Sequence, residues 1–363
     1  MNYHIDTTIK TPAYLQLYDL IRRDVISGAY TYGSRLPSKR SVAAETGVSV
    51  ITVEHAMALL CEEGYAEPRE RSGCYVIYRK DDFQGTPAEE GPAPLPEAQS
   101  HNTGDFPFTV VTRTVRRVLL DYGERILEKS PNLGCPELRS EICSYLARSR
   151  AITVKPSQVV IGSGAEYLYG LIAQLFGSGR VFALEQPSYD KIRRVYRSFG
   201  IECDMIPMRK DGLSMADLNA SEATLLHVTP FHSFPSGVTV SVSKKHEYLR
   251  WAKRRGAVIV EDNYDSELTV SRKAEDPLFS MADGADVIYL NTFSKTIAPS
   301  MRIGYMILPE SLSEEFGKRL GFYSCTVPVL EQYILADFLR SGNFEKHLNR
   351  VRRKRRKEAA QQR

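Results

Sequence analysis

Asn291-Thr292-Phe293-Ser294-Lys295, followed by Arg302 after Pro299, is the stretch of this chain best suited to covalent chemistry. A lysine set just past an apolar run and hemmed by small hydroxyl residues can attack a carbonyl and hold it as a Schiff base. A Ser-Lys pair alone more often marks a surface lysine, so the reading depends on its company. Upstream, Glu261-Asp262-Asn263-Tyr264 closes the apolar run AVIV. A carboxylate at Asp262 can pair with a protonated ring nitrogen, and Tyr264 can donate to a ring oxygen. Equally, Asp262 can be an acid capping a turn at a strand end. Between the run QVVI and a helical stretch lie Ser163, Gly164 and Ala165, whose backbone amides make an anion site if they open a helix. Thr292 and Ser294 hydroxyls and the Arg302 guanidinium can complete that site. Tyr189, in EQPSY, can stack on a planar ring. His232 is as readily a structural histidine as a contact to the same ring.

These residues need a scaffold that brings strand ends together. Apolar strand candidates are 159–161, 181–184, 225–228, 258–260, 287–290 and 303–308, with helical stretches such as 167–176, 191–199 and 244–255 between them. Buried strands alternating with helices predict an α/β domain of three layers, a mostly parallel sheet with helices on both faces.

With 363 residues the chain is long enough for two units. A break over residues 80–103, rich in Pro, Ala, Glu and Gly, reads as an extended linker between a head, 1–79, and a large domain, 104–363. In the head, Leu17, Leu20, Ile21 and Val25 share one helical face before Gly28. Ser38 caps a second helix ending at Gly47, and Ser49 caps a third ending at Gly64. Alternation from Tyr65 to Tyr78 suggests a hairpin, giving the order of a winged helix-turn-helix. The third helix then enters the major groove with Ser49, Val50, Ile51, Thr52 and His55 at its leading end. Arg35, Lys39, Arg40, Arg69 and Arg71 are placed to meet phosphates.

Hydrophobic residues at 42% and charged residues at 25% are ordinary for a globular protein, and a net charge of +4 neither requires nor excludes nucleic acid. No apolar run approaches a membrane span, and the first residues lack the apolar centre of a signal peptide, so a cytoplasmic protein is expected. The six cysteines form no CxxC pair or Cys/His cluster, and no metal site is expected.

The run from Gly33 to Tyr65, with its LPS, GVS and TV-x-x-A-x-x-x-L-x-x-EG pieces, resembles the GntR family of winged-helix regulators. That family often carries DNA-contacting arginines where Val50 and Glu54 stand here, and an acid at Glu54 facing the duplex would repel phosphate. Over residues 104–350 the pieces VVIGSGAE, LEQPSYDKI, VTPFHSFPSG, VIVEDNYDSEL and IYLNTFSKTIAPSMRIGY resemble fold-type I aminotransferases, and more narrowly the MocR/GabR-type regulators that join both parts. The resemblance implies pyridoxal 5'-phosphate on Lys295, Asp262 at its pyridinium, Tyr264 at O3′ and Arg302 at its phosphate. It also implies a homodimer. Phe234 stands where aminotransferases have an asparagine, and Ala165 where a phosphate-binding threonine is common. In the family, the basic stretch Arg350–Lys357 leads into a further subdomain carrying the arginine that clamps a carboxylate. That clamp is expected to be missing, leaving Lys191, Arg193 or a partner chain. The expected function is a DNA-binding transcriptional regulator that senses a small amine or amino acid through external aldimine formation at Lys295. The alternatives are an aminotransferase with an accessory DNA-binding head, and a shortened remnant that does neither.

Overall fold

Ser38 and Ser49 each place a side-chain oxygen under the first turn of a helix, accepting from the amides of Ser41 and Thr52 at 3.1 Å. These caps satisfy amide groups that helix starts leave orphaned. The computed structural model describes residues 3–6, 11–69, 72–79, 106–268 and 276–361, in two compact units, Met1–Ala98 and Gln99–Arg363. The expected linker, 80–103, lies outside the described residues.

The first unit is α1 (Ala13–Ser27), α2 (Lys39–Thr46), α3 (Val50–Glu62) and the antiparallel pair β1 (Ala66–Arg69) and β2 (Gly73–Val76). Helices α2 and α3 meet at 120° across the three-residue turn Gly47-Val48-Ser49. On α1 the core residues are Leu17, Tyr18, Ile21 and Val25. Tyr18 takes the inward place expected of Leu20, because its hydroxyl reaches the Glu63 carboxylate just past α3. Val53, Ala56, Met57 and Leu60 pack α3 against this stripe.

The second unit runs α4 (Phe108–Tyr122), α5 (Pro136–Arg150), β3 (Val159–Gly162), α6 (Ala165–Phe176), β4 (Val181–Gln186), α7 (Asp190–Ser198), β5 (Glu202–Arg209), β6 (Gly212–Leu213), α8 (Met215–Ala220), β7 (Leu225–Val228), α9 (Val242–Arg255), β8 (Val258–Asp262), β9 (Asp286–Thr292), β10 (Gly304–Ile307), α10 (Glu310–Leu320), α11 (Val329–Arg340) and α12 (Asn343–Gln361). The sheet order is β3-β10-β9-β8-β7-β4-β5-β6. β4, β5, β7, β8 and β9 are parallel, while β10 runs antiparallel to both its neighbours, β3 and β9. One face packs Val160, Leu184, Val260 and Leu290 under α6 and α7. The other sets Leu226, Ile259 and Val287 on Trp251 of α9. The three layers are those expected; β5, with its mixed pattern ECDMIPMR, was not anticipated.

This topology sets up the site. The carboxyl ends of β3, β4, β7, β8 and β9 lie along one edge, and antiparallel β10 begins there. Open α/β sheets bind ligands at such an edge. No single described helix is long and apolar enough to cross a membrane.

Candidate functional site

Asp262 ends β8, opposite Leu290 of β9. Strand alternation turns Asp262 with Val260 toward α6, and Glu261 with Ile259 toward α9. The capping role belongs to Glu261, which accepts the amides of Leu278 and Phe279 at 2.9 Å each. Asp262 does something else. Its Oδ2 accepts the Tyr169 hydroxyl from α6, with His227 Nε2 at 3.7 Å from the same atom. Tyr196 holds the other ring nitrogen of His227 at 2.7 Å. Asp262 Oδ1 is buried and has no hydrogen-bond partner among the described residues. An unpaired buried carboxylate oxygen is costly unless a ligand donor meets it.

Asp262 lines a cavity of about 270 Å³ together with Tyr264, Lys295, Thr292, Ser294 and Arg302. Tyr189, Ala165, Glu166, Tyr169 and Phe234 also reach it. Lys295 is exposed, its Nζ 6.0 Å from the Tyr264 ring centroid. The Tyr264 hydroxyl donates to the His232 carbonyl at 3.0 Å, and burial, then Asp265 and Asp262, push its pKa up to about 12. His232 itself is outside the cavity, its Nδ1 3.7 Å from Asp265. Tyr189 meets Phe234 edge-on at 6.4 Å.

At the other end, Gly164 precedes α6 with φ of +103°, and a Cβ there would stand 2.8 Å from Arg302 Nη2. The α6 N-terminus and Arg302 therefore converge, as an anion site requires. Of the predicted loop residues, Ala165 lines the cavity, whereas Ser163 does not. Thr292 Oγ1 donates to the Ile303 carbonyl at 3.2 Å and Ser294 Oγ to that of Met301 at 2.8 Å. These hydroxyls tie the Lys295 turn to the segment entering β10. Unforeseen in the sequence, Glu166 receives Arg302 at 2.5 Å and Lys191 at 2.9 Å. Burial raises its pKa, but the bonds from Lys191 and Arg302 outweigh this and hold it below the ordinary value.

Beneath the cavity, Glu185 is fully enclosed, accepting the Thr229 amide at 2.8 Å and the Ser233 hydroxyl at 2.5 Å. Burial pushes its pKa up to about 8; those bonds oppose the rise and the Asp262 charge adds to it. A sequence signal existed for this polar layer, since His227 interrupts the otherwise apolar, fully buried β7.

Lys295 and Ser294 also line a second cavity, of about 550 Å³, with Phe106, Phe108, Lys354 and Arg355. There His347 Nε2 of α12 donates to the Thr296 carbonyl at 2.8 Å, one residue past Lys295. Arg350 donates to Nδ1 at 3.2 Å, so the proton sits on Nε2.

In the first unit Arg35, Lys39, Arg40 and His55 are exposed. Lys39 pairs with Glu54, which answers the expected repulsion: the acid lies at the surface with its charge matched. His55 meets Tyr14 edge-on at 5.9 Å. Ser49 and Thr52 are joined by their hydroxyls at 2.8 Å. Arg69 lies over the Tyr75 ring at 4.5 Å. Arg71 lies outside the described residues.

Residues 13–76 match the family described as bacterial regulatory proteins, gntR family, and residues 100–362 the family of aminotransferase class I and II. The chain is 31% identical to the uncharacterized HTH-type transcriptional regulator YdeL of Bacillus subtilis, over 98% of this chain and 79% of that one. It is 30% identical to the HTH-type pyridoxine biosynthesis transcriptional regulator PdxR of Corynebacterium glutamicum, over 97% and 78%. Among solved structures, LysN, an alpha-aminoadipate aminotransferase from Thermus thermophilus complexed with N-(5'-phosphopyridoxyl)-L-leucine, matches at 27% identity and TM-score 0.62, over 69% of this chain and 64% of that one. An archaeal alanine:glyoxylate aminotransferase matches in fold at 24% identity and TM-score 0.62, over 67% and 62%. The chain thus spans slightly less than two thirds of these two enzymes.

Proposed function

The chain belongs to the HTH-type transcriptional regulators that join a gntR-family head to an aminotransferase class I and II domain, and from that premise we propose that it binds operator DNA, holds pyridoxal 5'-phosphate and responds to a small amine or amino acid at Lys295. One observation carries the cofactor reading. A single cavity holds a lysine, a buried carboxylate with one oxygen unpartnered among the described residues, and an arginine beside a helix N-terminus.

These residues fit the group. When bound, pyridoxal phosphate supplies an aldehyde that condenses reversibly with amines. Asp262 Oδ1 would hold a proton on the ring nitrogen, with Tyr169 and His227 fixing the carboxylate. Arg302 and the first amides of α6 would take the phosphate, with Thr292 and Ser294 turning their hydroxyls from backbone to phosphate. Tyr264 would move its proton from the His232 carbonyl toward the ring oxygen, and Tyr189 would flank the ring. Lys295 Nζ is the amine that would hold that aldehyde, and an effector amine would compete with it for the same carbon. Because His347 grips the Thr296 carbonyl next to that lysine, displacement acts on a turn already tied to α12. The ligand then biases a two-state arrangement by binding one state better.

On the DNA side, Ser49, Thr52 and His55 lead α3 into the major groove, and Arg35, Lys39, Arg40 and Arg71 serve the phosphates. A homodimer would present two such heads to a two-fold operator.

The test uses the full chain loaded with pyridoxal phosphate, titrated with a panel of amines and amino acids. Absorbance and affinity for its own upstream DNA are read together. The expected outcome is a subset of amines that changes both, with no transfer of the amino group to a keto acid. Spectral change with unaltered DNA affinity would sink the sensor reading, and sustained amino transfer would favour the aminotransferase.

A further inference from the structure

The DNA-reading helix of this head carries an unusual set of side chains. Helix α3 reads VITVEHAMALLCE and contains no Arg, Lys, Asn or Gln. Those four types make the bidentate contacts that single out guanine and adenine in the major groove. Val53, Ala56, Met57 and Leu60 face the core, so the outward stripe is Ile51, Glu54, His55 and Ala58, with Val50 beside it at the leading end. Of the polar members, Glu54 is engaged by Lys39 and His55 meets Tyr14. Ser49 and Thr52 are bound to each other in the cap.

What the leading turn offers a base pair is therefore apolar. Ile51 is 66% exposed and Val50 45%, two β-branched side chains held in solvent by a short capped turn. Their core-side neighbour Val53 is wholly buried, so packing does not account for the exposed pair. A helix N-terminus in the major groove meets base edges, and the one apolar group there is the C5-methyl of thymine. Exposed cations on and beside α2, Arg35 and Arg40, supply positioning contacts without sequence information.

We infer that Val50 and Ile51 read thymine methyl groups, so that each half-site places thymines under the leading turn of α3. This rests on the DNA-binding reading above. It differs from arginine-led readout in selecting A·T pairs and in being insensitive to salt at the specificity step. Each methyl removed from such a contact weakens binding by roughly three- to fivefold, the equivalent of one buried methylene.

The experiment selects sites from a random-sequence duplex library with the purified full-length chain. It then replaces each selected thymine, one at a time, by deoxyuridine, which differs only in lacking the methyl. The expected result is one or more positions per half-site where deoxyuridine weakens binding three- to fivefold, and where Ile51→Ala or Val50→Ala no longer distinguishes the two bases. A 5-methylcytosine at the same position recovers part of the loss. Equal binding of thymine and deoxyuridine at every position overturns the inference while leaving DNA binding intact. Failure to select or bind any duplex overturns it together with the reading it rests on. Both side chains are exposed, so the alanine variants keep the fold, and the deoxyuridine comparison needs no variant.

Discussion

Arg302 donates to Glu166 at 2.5 Å, across the end of the cavity where the α6 N-terminus and Gly164 converge. A carboxylate thus sits on the arginine that a phosphate would need. Lys191 binds the same carboxylate from the other side. An incoming phosphate must share or displace Glu166, and its negative charge opposes that entry.

Glu166→Gln should therefore tighten pyridoxal phosphate binding. The Glu166 side chain is 29% exposed, so solvent still screens part of the effect, and a roughly three- to tenfold fall in Kd is the expected scale. Fluorescence titration of the apoprotein measures it. A weaker Kd in the variant would show that Glu166 supports the cofactor.

Asp262→Asn separates the two sides of the same balance. Without ligand the variant removes a buried, half-satisfied carboxylate, so the apoprotein should be more stable by roughly 1–3 kcal/mol. With ligand, an amide in that place cannot hold a proton on a ring nitrogen, and the rise in Tm on adding pyridoxal phosphate should shrink or vanish. Calorimetry with and without the cofactor reads both. Loss of apoprotein stability would contradict the placement of the unpartnered oxygen.

Glu185 gives a pH dependence with a defined sign. Its pKa rises from about 4.5 to about 8 on folding because the side chain is enclosed, so between those values the folded state binds a proton that the unfolded state does not. Unfolding free energy should fall as pH rises through that window and level off above it, by roughly 5 kcal/mol in all. Glu185→Gln should flatten the profile, matching the parent near pH 5 and exceeding it near pH 8.5. Denaturant unfolding across pH checks this, and parallel profiles for both proteins would refute it.

On the head, Glu54 offsets part of the charge that Lys39 brings to a phosphate. Glu54→Gln should free Lys39 for a phosphate and steepen the dependence of log K on log salt by about 0.9. Binding isotherms across salt concentrations give the slope. An unchanged slope would mean that Lys39 does not face the duplex.

Much of this was legible beforehand, for identifiable reasons. Ser38 and Ser49 announce helix starts because capping is local. Strands β7, β8 and β9 stand out because strands buried on both faces read as apolar runs. Lys295, Asp262, Tyr264 and Arg302 could be gathered because each follows or precedes such a strand. Partners that depend on sheet order could not be read. Tyr169 meets Asp262, 93 residues away, only because α6 crosses the face onto which alternation turns that carboxylate. Glu166 looked like loop, and its clasp on Arg302 needs β10 to run antiparallel. Glu54 looked exposed to phosphate until the crossing of α2 and α3 brought Lys39 to it. Tyr18 displaced Leu20 from the head's core because a tyrosine with a partner for its hydroxyl buries well.

The central claim, that Lys295 is the residue through which this regulator holds its cofactor, is tested most directly by chemical trapping. The full chain is equilibrated with stoichiometric pyridoxal phosphate, reduced with borohydride, digested and examined by mass spectrometry. The account predicts a pyridoxyl group on Lys295 in most of the protein, abolished in Lys295→Ala without transfer to another lysine. Labelling spread over surface lysines, or concentrated on a lysine other than Lys295, would contradict it.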